Sequence, residues 1–246
     1  MHRRTFLQTL GVTAGLAFNS RADRLYAAES AAAMPDLVAV KNGEPEALFD
    51  RGIEALGGMG RFVKKGQTVV VKPNIGWNAP PERAANTHPR LVRRIVEHCL
   101  QAGAKEVYVF DHTCDAWRDC YRTSGIEQAV KEAGGKMAPG HTESYFQTVA
   151  VAQGRQLREA KEHELILQSD VLINVPVLKS HGGAKLTVAM KNLMGIVWDR
   201  GEWHSRDLHQ CIADFATYRK PDLNVVDAYN VLQRHGPRGV STADVA

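Results

Sequence analysis

Four short apolar runs do most to limit what this chain can fold into. Thr68-Val69-Val70-Val71, Val107-Tyr108-Val109-Phe110, Val171-Leu172-Ile173-Asn174-Val175 and Leu223-Asn224-Val225-Val226 are rich in β-branched and aromatic residues. They lack the polar alternation of a strand with one wet face, so they read as strands buried on both sides. Between them the spacing becomes helical. Pro45 to Leu56 reads as a helix stopped by Gly57-Gly58, and Leu91, Val92, Ile95, Val96, Cys99 and Leu100 form a stripe opened by Thr87 and Pro89 and closed by Gly103. Ser124 with Glu127 reads as a capping box for a helix ending at Gly134-Gly135. Leu186 to Leu193 reads as a short helix, and Leu208, Cys211, Ile212 and Phe215 as a further stripe. Leu37 to Val40 adds a strand; the weaker pattern between Ala138 and Gln168 gives a strand near Val149 and a polar helical stretch from Glu159. Strands alternating with helices predict an α/β fold, a mostly parallel sheet with helices on both faces.

The N-terminus carries an address. In His2-Arg3-Arg4-Thr5-Phe6-Leu7-Gln8 two adjacent arginines precede an apolar pair, the order of a twin-arginine export signal. Leu10 to Phe18 is apolar but falls short of the roughly 20 residues a bilayer span requires, so no stable membrane anchor is expected. Ala31-Ala32-Ala33 offers small residues for cleavage, dividing the chain into a signal peptide over 1–33 and a single domain over 34–246. The expected location is periplasmic or extracytoplasmic, with the twin-arginine translocase as a partner during export. Four of the 31 Lys and Arg and two of the 27 Asp and Glu lie in the first 33 residues, leaving a net charge of +2 on the remainder. That small excess gives no basis for a nucleic-acid partner.

The four cysteines, at 99, 114, 120 and 211, form no Cys-x-x-Cys pair, so no iron–sulfur cluster is expected from them. Cys114 and Cys120 share a polar loop and are a candidate disulfide in an oxidising compartment. Cys99 and Cys211 read as small buried thiols.

In open parallel sheets ligands gather beyond the carboxyl ends of the strands. The residues there are Lys72-Pro73-Asn74, Asp111-His112-Thr113, Pro176 to His181, and Asp227 to Asn230, all four expected to converge on one rim. Lys72, Lys179, Lys185 and Lys191 are candidate cations for an anionic ligand, beside Gly182-Gly183, where backbone amides can approach it. Lys185 is followed by Leu186 rather than Ser or Thr, so the segment is not a P-loop, and no Gly-x-Gly-x-x-Gly follows any strand. His88, His112, His181, His204 and His209 lie near the same rim. With Asp111 and Asp227 they are candidates for a mixed nitrogen and oxygen metal site, for which Asp111, His181 and Asp227 are the named ligand set. Trp198 and Trp203 read as packing the Asp199–Glu202 loop, and Met190 and Met194 as core fillers.

Several longer motifs occur in order: Val69-Val70-Val71-Lys72-Pro73-Asn74, Asn86-Thr87-His88-Pro89, Asn174 to His181, Leu186 to Gly195, and Val225-Val226-Asp227. Together they resemble the domain-of-unknown-function family 362 over nearly all of the chain after residue 33. The resemblance implies a family of undefined biochemical activity, some of whose members are joined to ferredoxin-like iron–sulfur modules; this sequence shows no such module. The family pattern continues past residue 246, and Ser241 to Val245 reads as a helix beginning, so the C-terminal part is expected to be truncated.

Two functions stay open at this point. The first is an exported protein, in one form a redox-associated enzyme, binding an anionic small molecule or cofactor through Lys72, Asn74, Lys179, Lys185, Lys191 and Asn192. In that reading His88 and His181 are the acid–base candidates, having ordinary pKa values near neutrality. The alternative is a non-enzymatic periplasmic metal-binding or maturation partner of an exported redox protein.

Overall fold

The valine run at 68–71 sits at the centre of the molecule. It belongs to β1 (Thr68–Pro73), which pairs in parallel with β2 (Glu106–Val109) on one side and β6 (Val171–Val175) on the other. Two short parallel strands, β3 (Lys136–Met137) beside β2 and β9 (Leu223–Asn224) beside β6, extend the sheet to the order β3-β2-β1-β6-β9. The structure, a computed structural model, describes residues 34–246, and Val38–Ala246 form one compact unit. The twin-arginine reading of residues 1–33 therefore lies outside the described residues.

Alternate side chains of one strand leave opposite faces of the sheet, and both faces here are covered. Val69, Val71, Val107, Val109, Val171, Ile173 and Val175 pack into one core with helices α1 (Pro45–Ala55), α2 (Pro89–Gln101), α3 (Trp117–Thr123) and α4 (Ile126–Glu132). Val70, Phe110 and Leu172 point the other way, into a second core that includes Ile166 of α5 (Glu164–Gln168) and the stripe of α7 (Leu208–Tyr218). The expected α/β fold, mostly parallel and flanked by helices, is what forms. Burial dominates its energetics: α2 alone buries Leu91, Val92, Ile95, Val96 and Cys99, and each large aliphatic side chain removed from water is worth about 1.5–3 kcal/mol.

Two smaller sheets depart from the sequence reading. The stretch from Glu159 is not helical. It forms β5 (Glu159–His163), antiparallel to β4 (Phe146–Ala150), because five cross-strand pairs from Phe146–His163 to Ala150–Glu159 overrule its local helix preference. Leu186 does not begin a helix either. It lies on β8 (Lys185–Thr187) opposite Ser180 of β7 (Val177–His181), and the helix α6 is confined to Ala189–Asn192. Val225 and Val226 lie outside any strand, and the chain continues instead into β10 (Asp227–Leu232), parallel to β7. Leu37 to Val40 is irregular. At Ser124 the capping box is replaced by Gly125 in the left-handed region (φ 73°), with Ser124 Oγ accepting from Ile126 N. A true capping box joins Ser241 and Asp244 around the 3-10 turn Thr242–Asp244. All four cysteines are free thiols, so the Cys114–Cys120 pairing does not form.

Candidate functional site

Beyond the carboxyl ends of β1, β2 and β6 lies a cleft of about 280 Å³. The strand-end residues Lys72, Asn74, Asp111, His112, Lys179 and His181 line it, joined by Lys191, Asn192, Arg200 and His204 from the later segments. Three of the four strand-end segments thus meet, as the parallel topology requires. The fourth does not. Asp227 is buried at the start of β10, where it accepts hydrogen bonds from the backbone N–H groups of His88 (2.7 Å) and Tyr229 (3.1 Å).

The floor of the cleft is an ion pair. Lys72 is fully buried, with its Nζ 2.9 Å from Asp111 Oδ1. The same ammonium donates to Pro73 O (2.8 Å) and Asn192 Oδ1 (3.0 Å), while Asp111 Oδ2 accepts from Ile75 N (2.7 Å). Burial pulls the Lys72 pKa down and the Asp111 carboxylate opposes it. Gly195 is required here, since a Cβ at that position would overlap Asp111 Oδ1 and lie 2.6 Å from Lys72 Nζ. With all its donors engaged, Lys72 supports the site from beneath and is not available as a ligand contact.

An asparagine lattice spreads from this pair. Asn192 Nδ2 donates to Asn174 Oδ1 (2.8 Å) and Lys72 O (3.2 Å), and Asn74 Nδ2 reaches Asn192 Oδ1 (3.3 Å). Lys179 Nζ donates to Asn74 Oδ1 (3.0 Å) and to Ala85 O. Burial is the main cause that pulls the Lys179 pKa down to about 7, with Lys191 and Lys72 adding like-charge repulsion. Lys191 is brought down to about 8, again chiefly by burial and then by Arg200.

Arg200 fixes its guanidinium on Thr113 O (3.0 Å) and Cys114 Sγ (3.5 Å). Asp111 is the one carboxylate on the cleft wall among the described residues, and Lys72 already neutralises it. Lys179, Lys191 and Arg200 therefore face the cleft with no carboxylate partner among the described residues. The imidazoles of His112, His181 and His204 are all held below their ordinary pKa, with burial the largest cause in each; His181 falls to about 4.

Other sequence candidates are placed elsewhere. Lys185 is exposed on the β7–β8 hairpin, with φ at 64°, and does not line the cleft. His88 caps α2, accepting from Arg90 N through Nδ1 (3.3 Å) and packing edge-on against Tyr229. It is a structural cap outside the cleft. Asp111, His181 and Asp227 do not assemble as ligands, and the described residues hold no group of three or more such side chains suited to a metal ion. Met190 is 56% exposed rather than a core filler, whereas Met194 is buried. His209 is exposed on α7. Trp203 does pack the core, and Trp198 stacks on His112 with ring centroids 4.8 Å apart. Sequence reasoning missed Arg200. Its available signal was an arginine in a loop bracketed by tryptophans.

Residues 69–246 match a family described as a domain of unknown function, DUF362. A thylakoid-associated protein of Synechocystis sp. is 30% identical over 201 residues, covering 75% of this chain and 59% of that protein. Among solved structures, a structural-genomics protein from Thermotoga maritima aligns with TM-score 0.50 and 13% identity, covering 78% of this chain and 52% of its own. The lactate racemase apoprotein of Thermoanaerobacterium thermosaccharolyticum aligns with TM-score 0.48 and 12% identity, covering 77% and 49%. The chain thus spans less than two thirds of the relative's length and about half of each solved chain. At such identities the Thermotoga likeness extends to the α/β fold and no further.

Proposed function

The chain belongs to the DUF362 family, and from that premise we propose that its cleft binds a small anion, a carboxylate or a phosphate-like group, on Lys179, Lys191 and Arg200. One observation carries this reading: besides Lys72, three cations line the cleft, while the one carboxylate on its wall among the described residues, Asp111, is consumed by Lys72. Cations held together below water have their charge destabilised by desolvation and by one another. The lowered pKa values of Lys179 and Lys191 express that cost, and an anion bound between them removes it. Asn74 and Asn192 hold the lysines in register.

Thermal stabilisation by sulfate tests the reading, since a ligand that binds only the folded state raises stability as RT ln(1 + [L]/Kd). Sulfate keeps its double charge across the neutral range, so any pH effect comes from the protein. The melting temperature should rise with sulfate at pH 6. The effect should weaken toward pH 9 as Lys179, near 7, and Lys191, near 8, lose their protons. Lys191→Met should reduce the shift at pH 6 with little change in stability without sulfate. An unchanged shift in that variant refutes the assignment.

The export reading belongs to the same proposal. It is supported by the Arg3-Arg4 pair, the short apolar stretch and the Ala31–Ala33 end, and it places the anion-binding domain outside the cytoplasmic membrane. Among the described residues no helix is long and apolar enough to cross a membrane.

A further inference from the structure

Two histidines on the cleft wall are locked in opposite tautomers. His112 Nδ1 lies 3.0 Å from the Val197 carbonyl oxygen. A carbonyl only accepts, so Nδ1 carries the proton and Nε2 is left with a bare lone pair. The ring is clamped by its stack on Trp198, with an interplanar angle of 5°. At His181 the situation is reversed. Its Nδ1 accepts from the backbone N–H groups of Gly183 (3.1 Å) and Ala184 (3.0 Å). Backbone N–H groups only donate, so the proton of the neutral ring is on Nε2. One imidazole offers the cleft a proton acceptor and the other a proton donor. Burial holds both below the ordinary imidazole pKa, with repulsion from Arg200 adding to it at His112 and from Lys191 at His181. Lys191 and Arg200 line the same cleft as the two rings.

The geometry points to proton transfer at carbon: the cleft enolises a small 2-oxo acid, with His112 Nε2 as base and the His181 Nε2–H as the donor to the carbonyl oxygen. This rests on the anion-binding reading, since the substrate carboxylate is held by Lys191 and Arg200. The base takes a proton from the carbon next to the carbonyl, and the C–H electron pair becomes the carbon–carbon π bond. The carbonyl π pair moves to oxygen, where the His181 N–H stabilises it. A neutral imidazole suits this role, because it donates a hydrogen bond to the enolate oxygen without surrendering its proton. The His112 imidazolium exchanges its Nε2 proton with solvent and returns a deuteron to the carbon as the enolate π pair forms the new C–D bond, so in D2O the net change is hydrogen for deuterium and nothing is oxidised.

The test uses 2-oxobutanoate in D2O with the full chain, following loss of the C3 proton signal by NMR. Exchange should exceed the protein-free rate, and His112→Gln should slow it by roughly 10² to 10⁴, the usual contribution of a positioned base. His181→Gln, which keeps an N–H donor, should retain more exchange than His181→Leu. Long-range proton–nitrogen spectra of labelled protein should show the Nδ1–H form of His112 and the Nε2–H form of His181 at pH 7. Sulfate stabilisation without accelerated exchange, or either tautomer reversed, overturns the inference and leaves the anion site standing. Absence of sulfate stabilisation overturns the anion site itself.

Discussion

Replacing Lys72 by methionine separates a strut from a ligand contact. Methionine nearly matches the lysine stem in length, so little volume is lost and the change is one of charge. What disappears is the ammonium 2.9 Å from Asp111 Oδ1, which has no other partner among the described residues. The donor to Asn192 Oδ1 goes with it. Asp111 is 3% exposed, too little for water to replace the lost partner. Removing one member of a buried ion pair costs about 3–5 kcal/mol because the other charge is left uncompensated. At about 2–4 °C per kcal/mol for a domain of this size, the melting temperature should fall by roughly 6–20 °C. The double variant Lys72→Met/Asp111→Asn removes the stranded charge and keeps an oxygen for Ile75 N, so it should recover about 2 kcal/mol or more relative to the single variant. Urea denaturation read by circular dichroism measures wild type, both single variants (Lys72→Met and Asp111→Asn) and the double variant. A single variant within about 1 kcal/mol of wild type, as an exposed pair would give, refutes the reasoning. So does a double variant whose loss equals the sum of the two singles.

Gly195→Ala forces a methyl against the same ion pair and should cost about 1–3 kcal/mol by overpacking, whereas Gly76→Ala, with its nearest atoms at 3.8 Å, should be tolerated; equal losses in urea would remove the steric argument. Glu162 is fully buried, with Oε1 unpartnered among the described residues and Oε2 accepting from Tyr218, and burial raises its pKa to about 7. Its folded pKa is above the unfolded one, so the stability linked to its proton is present at low pH and lost as pH climbs through 7. Glu162→Gln should therefore melt like wild type at pH 5 but higher at pH 8, by an amount on the order of 3 kcal/mol at most; parallel curves at the two pH values would contradict this. For export, Arg3→Lys/Arg4→Lys should abolish the processed, extracytoplasmic form in cell fractionation, and undiminished export would rule out the twin-arginine route.

The central strands and three of the four rim segments were legible in the sequence, and the charge states were not. Val69 to Val71 and Val171 to Val175 declare buried strands because β-branched side chains without polar alternation suit few other environments. Parallel order then carries Lys72, Asp111 and Lys179 to one end of the sheet. Local pattern failed where pairing partners overruled it. Glu159 to His163 looks helical until Phe146 to Ala150 lies beside it. Leu186 fits an apolar helical spacing until β7 takes it as a strand partner.

What the sequence by itself determined was the α/β class, the positions of the central strands β1, β2 and β6, and the presence of lysines, asparagines and histidines at their ends. Only the tertiary structure decided which of those groups are free to act. Lys72 is spent on Asp111 and on Asn192, 120 residues away, and Lys179 leans on Asn74, 105 residues away. Asp227 is taken by the backbone of His88. The physical reason is that a side chain's charge and tautomer are set by desolvation and by hydrogen-bond partners within a few ångströms, and in a parallel sheet those partners come from distant parts of the chain.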